Sequence, residues 1–209
     1  MPNDDTPRLS PLDDPSWSYV EKATLEDFDA DDWTRLNGQR AIYMPDRQAE
    51  QALRLLTAGR DDPTFGYRIN NYRHCLQSAT MALRAGLDEE TVVVALFHDV
   101  GFVACPATHG DFAAELLRAY VCERNVWMLR HHAIFQNVHV SGYPGLDRDA
   151  RERWRGHPHF EWTAEFVARF DQNAIDPDYD TAPIETFEPL VRRLFARSPV
   201  LNRPDGGGA

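Results

Sequence analysis

Positive charge is scarce in this chain, and lysine is nearly absent. The 209 residues hold 22 Lys and Arg against 33 Asp and Glu, a formal net charge of −11, and Lys22 is the sole lysine. A general nucleic-acid binder needs a basic surface to neutralise phosphates, so nucleic acid is excluded as a partner. An anionic group would have to be met by arginine, protonated histidine, backbone N–H groups or a metal ion. Cysteine is also sparse. Cys75, Cys105 and Cys122 form no CxxC pair, and an odd number makes a poor disulfide framework, which suits a reducing compartment. The longest apolar run, Val92 to Phe97, is far too short to span a bilayer. The acidic start MPNDDTPRLSPLDDPS contains no apolar signal-peptide segment. These absences point to a cytoplasmic protein, monomer or homodimer, that acts on a small molecule and has no membrane partner.

What is present suffices for a core: 43% of the residues are hydrophobic, enough for a single domain without disulfide staples. Residues 1–23 read as a disordered acidic tail, 24–60 as an N-terminal helical extension, 61–200 as the main domain and 201–209 as a flexible tail. Two helices are expected within 24–59, the second being RQAEQALRLLTAG with Ala52, Leu53, Leu55 and Leu56.

From Tyr72 onward helix follows helix, so the expected fold class is all-α. NYRHCLQSATMALRAG runs to Gly86, a fitting C-terminal cap. DEETVVVALFHDVGF opens on acidic residues that favour the positive end of the helix dipole, and its near-continuous apolar centre predicts burial on all sides. Its β-branched content would also suit a strand, but no second strand-like segment exists to pair with it. THGDFAAELLRAYV begins with Thr108 and Asp111 in a capping-box-like arrangement. CERNVWMLRHHAIF is a further helix. A polar linker, QNVHVSGYPGLDRDARERWRGHP, leads to HFEWTAEFVARFDQNA. The last helix, PIETFEPLVRRLFAR, carries Ile184, Phe187, Val191, Leu194 and Phe195 on one stripe.

The chemistry centres on the adjacent pair His98–Asp99, at the end of the buried apolar helix. Burying ionisable groups there is costly unless a cation compensates them. His74 lies midway along the preceding helix, joined by the short turn at Gly86–Asp88, and Asp171 ends a later helix. A His, His–Asp and Asp set from three helices supplies mixed N and O ligands for a first-row divalent metal. His109, in the first turn of its helix, and His132, in the last turn of the next, suit a second ion, with Asp99 bridging. Two-metal centres hold their ions about 3.5–4 Å apart. Any one of these histidines alone is more often a hydrogen-bonded core residue than a ligand; the case rests on the whole set in its order. His131 points about 100° away from His132 and reads as a surface or supporting group. His139 lies in the linker, and His157 and His159 shape the entry to the Asp171 helix.

The order His74, His98–Asp99, Asp171 on successive helices resembles the HD-domain superfamily over roughly residues 65–197. The segment HCLQSATMALRAGLDEETVVVALFHDVG, with HGDF at 109–112 and RHHAIF at 130–135, resembles its mixed-valence di-iron oxygenase branch, which includes phosphonate-cleaving and myo-inositol oxygenases. The resemblance implies an HD-domain helical bundle in which His74, His98, Asp99, His109, His132 and Asp171 are the catalytic metal ligands. It further implies two iron ions in a mixed-valence Fe(II)/Fe(III) state, O2 as co-substrate, and oxidative C–P or C–C cleavage of a small hydroxylated, anionic or zwitterionic substrate. Phe102 stands where many HD phosphohydrolases carry a lysine or histidine, and Ala133 and Arg169 also depart from the oxygenase pattern. Tyr67, Arg68, Tyr72, Phe102, Phe135 and Arg169 are the expected substrate contacts; Arg73 and Arg130 are further candidates for an anionic group. The rival expectation is an HD phosphohydrolase using Mn or Mg on a small phosphate ester or nucleotide, disfavoured by the missing basic residue at 102. A regulatory module holding metals only for stability is disfavoured because structural metals sit in closed sites. The linker 134–158 is long for a compact domain and is expected to lie over or beside the metals.

Overall fold

The computed structural model describes residues 18–200. Most of the expected N-terminal tail and all of 201–209 lie outside the described residues. Those that are described form an all-α architecture with no strand among them. The chain divides into two compact units, Met1–Pro45 and Asp46–Ala209.

In the first unit a 3-10 turn, Leu25–Asp27, precedes the start of α1 (Ala30–Ala58). The Asp29 carboxylate accepts the backbone N–H groups of Asp31 and Asp32, which caps α1. Lys22 is paired with Asp29 at 2.7 Å and Asp32 at 2.6 Å, so the only ammonium is already committed. The two helices expected between 24 and 59 are one: α1 runs through Pro45. Proline's fixed φ is helical, so the helix continues through it with one backbone N–H bond fewer.

The second unit begins within α1, whose Ala49, Ala52, Leu53 and Leu56 enter a core shared by α2 (Asn71–Arg84), α3 (Glu89–Phe97), α4 (His109–Leu117), α5 (Glu123–Gln136), α6 (Phe160–Phe166) and α7 (Glu188–Phe195). Local chemistry explains the borders. Asn70 caps α2 by accepting the Arg73 N–H at 3.0 Å, and Asp88 caps α3 by accepting that of Thr91 at 2.8 Å. Gly86 adopts φ +74 and closes α2 in a Schellman motif, with bonds from Gly86 N to the Leu83 carbonyl and from Leu87 N to that of Ala82. Residues Thr91 to Phe97 are all buried, which accounts for the uninterrupted apolar pattern of α3.

Three local expectations are corrected. The Thr108 side chain makes no capping bond to α4; its φ of −136 and ψ of 23 depart from the usual extended N-cap backbone. His74 lies in the opening turn of α2 rather than midway. The last helix is split by a 3-10 turn, Ile184–Thr186, and α7 proper starts with Pro189 in its first turn, where a missing N–H costs nothing.

Candidate metal centre

Four helices and one irregular turn bring six side chains together. His74 comes from the opening turn of α2, His98 and Asp99 from the end of α3, His109 from the first residue of α4 and His132 from α5. Asp171 ends a π-helical turn, Val167–Asp171, that continues α6. Such turns occur mostly as local insertions, frequently at functional sites; this one sets which side chain of FVARFD faces inward. His98, Asp99, His132 and Asp171 are buried, and Asp171 is fully so.

The imidazoles share one orientation device. His74 Nδ1 lies 2.9 Å from the Ala174 carbonyl, His98 Nδ1 2.8 Å from that of Ala95, His109 Nδ1 2.8 Å from that of Pro106 and His132 Nδ1 2.7 Å from that of Leu129. A carbonyl only accepts, so Nδ1 carries the hydrogen in every ring and a neutral ring presents Nε2 inward as a bare lone pair. Those lone pairs crowd one another: His74 Nε2 is 2.9 Å from His98 Nε2, and His109 Nε2 is 3.1 Å from His132 Nε2. Acceptors at that separation repel unless a proton or metal ion stands with them.

The carboxylates complete two sets. Asp171 Oδ1 is 3.5 Å from His74 Nε2 and 3.6 Å from His98 Nε2, while Asp99 Oδ2 is 3.6 and 3.9 Å from the same atoms. Asp99 Oδ1 faces the other way, 3.2 Å from His109 Nε2 and 3.0 Å from His132 Nε2. The two oxygens of Asp99 therefore address different histidine pairs. His74, His98 and Asp171 could hold one ion, as could His98, Asp99 and His132; His109 extends the latter set.

Electrostatics match the geometry. Burial would raise the Asp99 and Asp171 pKa values, but the surrounding histidines hold both below the usual carboxylate range. Burial would lower the His74 pKa, yet the Asp171 hydrogen bond and the charges of Asp99 and Asp171 raise it to about 9. His132 is likewise raised against its burial, by Asp99 first. Two ionised carboxylates in a buried site require positive charge, supplied by protons on histidine or by metal ions. Asp171 Oδ2 is moreover buried with no hydrogen-bond partner, a position a metal ion would satisfy. The donor set and this orphaned atom fit a first-row metal centre.

Several supporting residues escaped the sequence reading. Gln136, taken as the start of the polar linker, donates from Nε2 to Asp171 Oδ1 at 2.5 Å. It sits four residues after His132 on the same face of α5, a spacing that could have revealed it. Asn71 donates to the Asp99 carbonyl at 2.8 Å. Gln77 grips Asp176 by both its N–H and its carbonyl, and Arg73 donates to the carbonyls of Pro177 and Tyr179. These bonds fasten the segment that delivers the Ala174 carbonyl to His74.

A cavity of about 310 Å³ opens onto His74, Asp99 and Asp171. Tyr67 and Phe102 line it, and Phe102 also meets the His109 ring edge-on at 5.7 Å. The other expected substrate contacts lie off it. Phe135 is wholly buried in the core, Tyr72 is buried with its hydroxyl accepting from Arg60, Arg169 pairs with Glu165, and Arg68 is exposed. Packing and the Arg60 bond claimed Phe135 and Tyr72, and ion pairing claimed Arg169. Arg130 pairs with Glu115 at 2.6 Å. The linker divides. Its beginning, with Gln136, His139 and Val140, lines the cavity. Farther along, Trp154 and His157 pack on α5, where Trp127 is stacked between His131 at 4.1 Å and His157 at 4.3 Å. No protein-family model and no curated protein matches the chain.

Proposed function

We propose that this chain is an HD-type non-haem di-iron oxygenase that uses O2 to cleave a C–C or C–P bond beside a hydroxyl group. The observation that carries the reading is the orientation of the four rings. Each Nδ1 is tied to a backbone carbonyl and each Nε2 is turned, at 2.9–3.9 Å from its neighbours, toward carboxylates whose charge needs a cation. In this reading His74, His98, Asp99 and Asp171 would hold one ion and His109 and His132 the other, with Asp99 facing both histidine pairs. When bound, a mixed-valence iron pair supplies Lewis acidity and the electrons for O2 activation.

The chain's own residues do the remaining work. Gln136 holds Asp171 in place by donating to Oδ1, the oxygen that faces His74 and His98. Asn71 pins the Asp99 backbone and so the direction of the bridging carboxylate. Phe102 and Ile69 give the cavity apolar wall beside these groups. No arginine or lysine stands among the residues lining the cavity, which within this reading favours C–C over C–P cleavage and weighs against a phosphohydrolase that would grip a phosphate ester.

Elemental analysis with electron paramagnetic resonance on aerobically purified protein tests the proposal. Two irons per chain with an antiferromagnetically coupled Fe(II)/Fe(III) signal are expected. Protein that takes up Mn or Mg instead and turns over phosphate esters would refute it.

A further inference from the structure

The polarity of the cavity runs from one extreme to the other. Its buried end is acidic and imidazole-lined, with Asp171 at 0% and Asp99 at 8% exposure. Its open end is apolar: Phe65 is 64% exposed, Tyr67 62%, Ile175 49% and Val140 38%. Exposed apolar groups gathered round one opening mark a binding surface far more often than scattered ones do.

Fixed positive charge is missing from the same walls. Arg73 donates to the carbonyls of Pro177 and Tyr179, Arg148 to that of Val138, and Arg169 pairs with Glu165, while Arg68, exposed and next to Tyr67 in the chain, is not among the lining residues. A second anionic group on a ligand would enter a cavity already holding two carboxylates and meet no arginine or lysine in its walls.

Phe65 adds an independent sign. It occupies the left-handed region at φ 50, followed by Gly66 at φ 98, and the turn is closed by the Tyr67 N–H on the Thr64 carbonyl at 3.0 Å. Positive φ at both central positions defines a turn that favours Asn–Gly. A phenylalanine there meets backbone strain and, at this exposure, gains little burial in return. Such outliers cluster at ligand clamps.

We infer that the ligand is a small amphiphile: a chelating, hydroxyl-bearing head seated at the His/Asp cluster and an uncharged apolar body against Phe65, Tyr67, Phe102, Val140 and Ile175, with no second anionic group. The cavity lies at the small end of the range for ligand pockets, about 300–1,000 Å³, so the occupant is a small molecule rather than a protein segment. The head group rests on the two-metal reading above; the apolar body does not.

Calorimetric titration of the iron-loaded protein with straight-chain 2-hydroxycarboxylates, from glycolate to 2-hydroxyoctanoate, tests this, with malate as the doubly anionic comparison. Affinity should rise by about fourfold per methylene until the cavity is full, and malate should bind more weakly than 2-hydroxybutanoate. Tyr67→Ser and Phe102→Ser, at exposed positions that leave the core intact, should flatten the rise. A series independent of chain length, or malate binding more tightly than 2-hydroxybutanoate, would overturn the inference. Metal content separates the two readings. Two irons with a flat series sinks the substrate class alone. If the chain takes up no iron, the metal reading fails, and the same series on metal-free protein still decides the apolar body by whether affinity rises or stays level.

Discussion

Removing the metals should make the protein lose stability as pH rises, and restoring them should reverse that slope. In the metal-free protein the positive charge facing Asp99 and Asp171 comes from protonated histidine, and His74 has its pKa raised from 6.5 to about 9. A group whose folded pKa lies above its unfolded value stabilises the fold fully below the unfolded pKa, and that contribution disappears as pH climbs through the folded one. The window is therefore about pH 6.5 to 9. A rise from 6.5 to about 9 corresponds to about 3 kcal/mol, at 1.36 kcal/mol per pH unit, lost between pH 6 and pH 9. His74 is only 12% exposed, so solvent screening reduces this little. His132, also raised, acts in the same direction. With metal bound the four rings must be neutral, protons compete with the ions, and metal-induced stabilisation grows with pH. Urea denaturation of chelator-stripped and iron-loaded protein at pH 6, 7.5 and 9 measures both slopes. For a domain of this size the stripped protein should melt roughly 10 °C lower at pH 9 than at pH 6, and His74→Gln should remove most of that difference. A stripped protein equally stable at all three pH values, or a His74→Gln variant with the full slope, would refute the electrostatic account.

Other perturbations have distinct signatures. His109→Ala and His132→Ala should each lower iron from about two to about one per chain and abolish turnover while far-UV circular dichroism stays unchanged; full iron in both would refute the ligand assignment. Gly110→Ala places a Cβ 2.5 Å from the Leu129 carbonyl where α4 meets α5. It should cost about 1–3 kcal/mol and, by shifting the adjacent His109, weaken the second metal; thermal melts and elemental analysis read the two effects. Gln136→Leu should lower metal affinity about 10- to 100-fold in chelator competition, as is typical when support to a ligand is lost, with little change in the melting temperature of the metal-free protein. Phe65→Asn relieves left-handed backbone strain of about 1 kcal/mol at a mostly exposed side chain, so stability should hold or rise in urea melts while affinity for the longer 2-hydroxycarboxylates falls.

Much of the helical layout was readable because its signals are local. Gly86 and Asp88 act within one turn of their own positions, and the unbroken run Val92–Phe97 has no other use than burial. Failures fell where a local signal met a competing contact. The two helices expected within 24–59 are one, α1. Phe135 and Tyr72 have the chemistry of substrate contacts, but the core and Arg60 claimed them.

The sequence by itself determined which chemistry the chain could hold: four histidines and two aspartates at recognisable stations on a run of helices, with a single lysine and no disulfide framework to suggest anything else. The direction of each ring was decided only by the tertiary structure. The carbonyl that orients His74 belongs to Ala174, 100 residues away, and is held there by α2 side chains. The inward face of Asp171 depends on the π turn, whose extra residue per turn shifts the register that helical periodicity assumes. The bare, apolar mouth of the cavity likewise arises from segments distant in sequence, Thr64–Tyr67, Phe102, Val140 and Ile175. Local periodicity and capping act over a few residues; the facing of two lone pairs and the polarity of a cavity depend on long-range packing, and no window of sequence contains it.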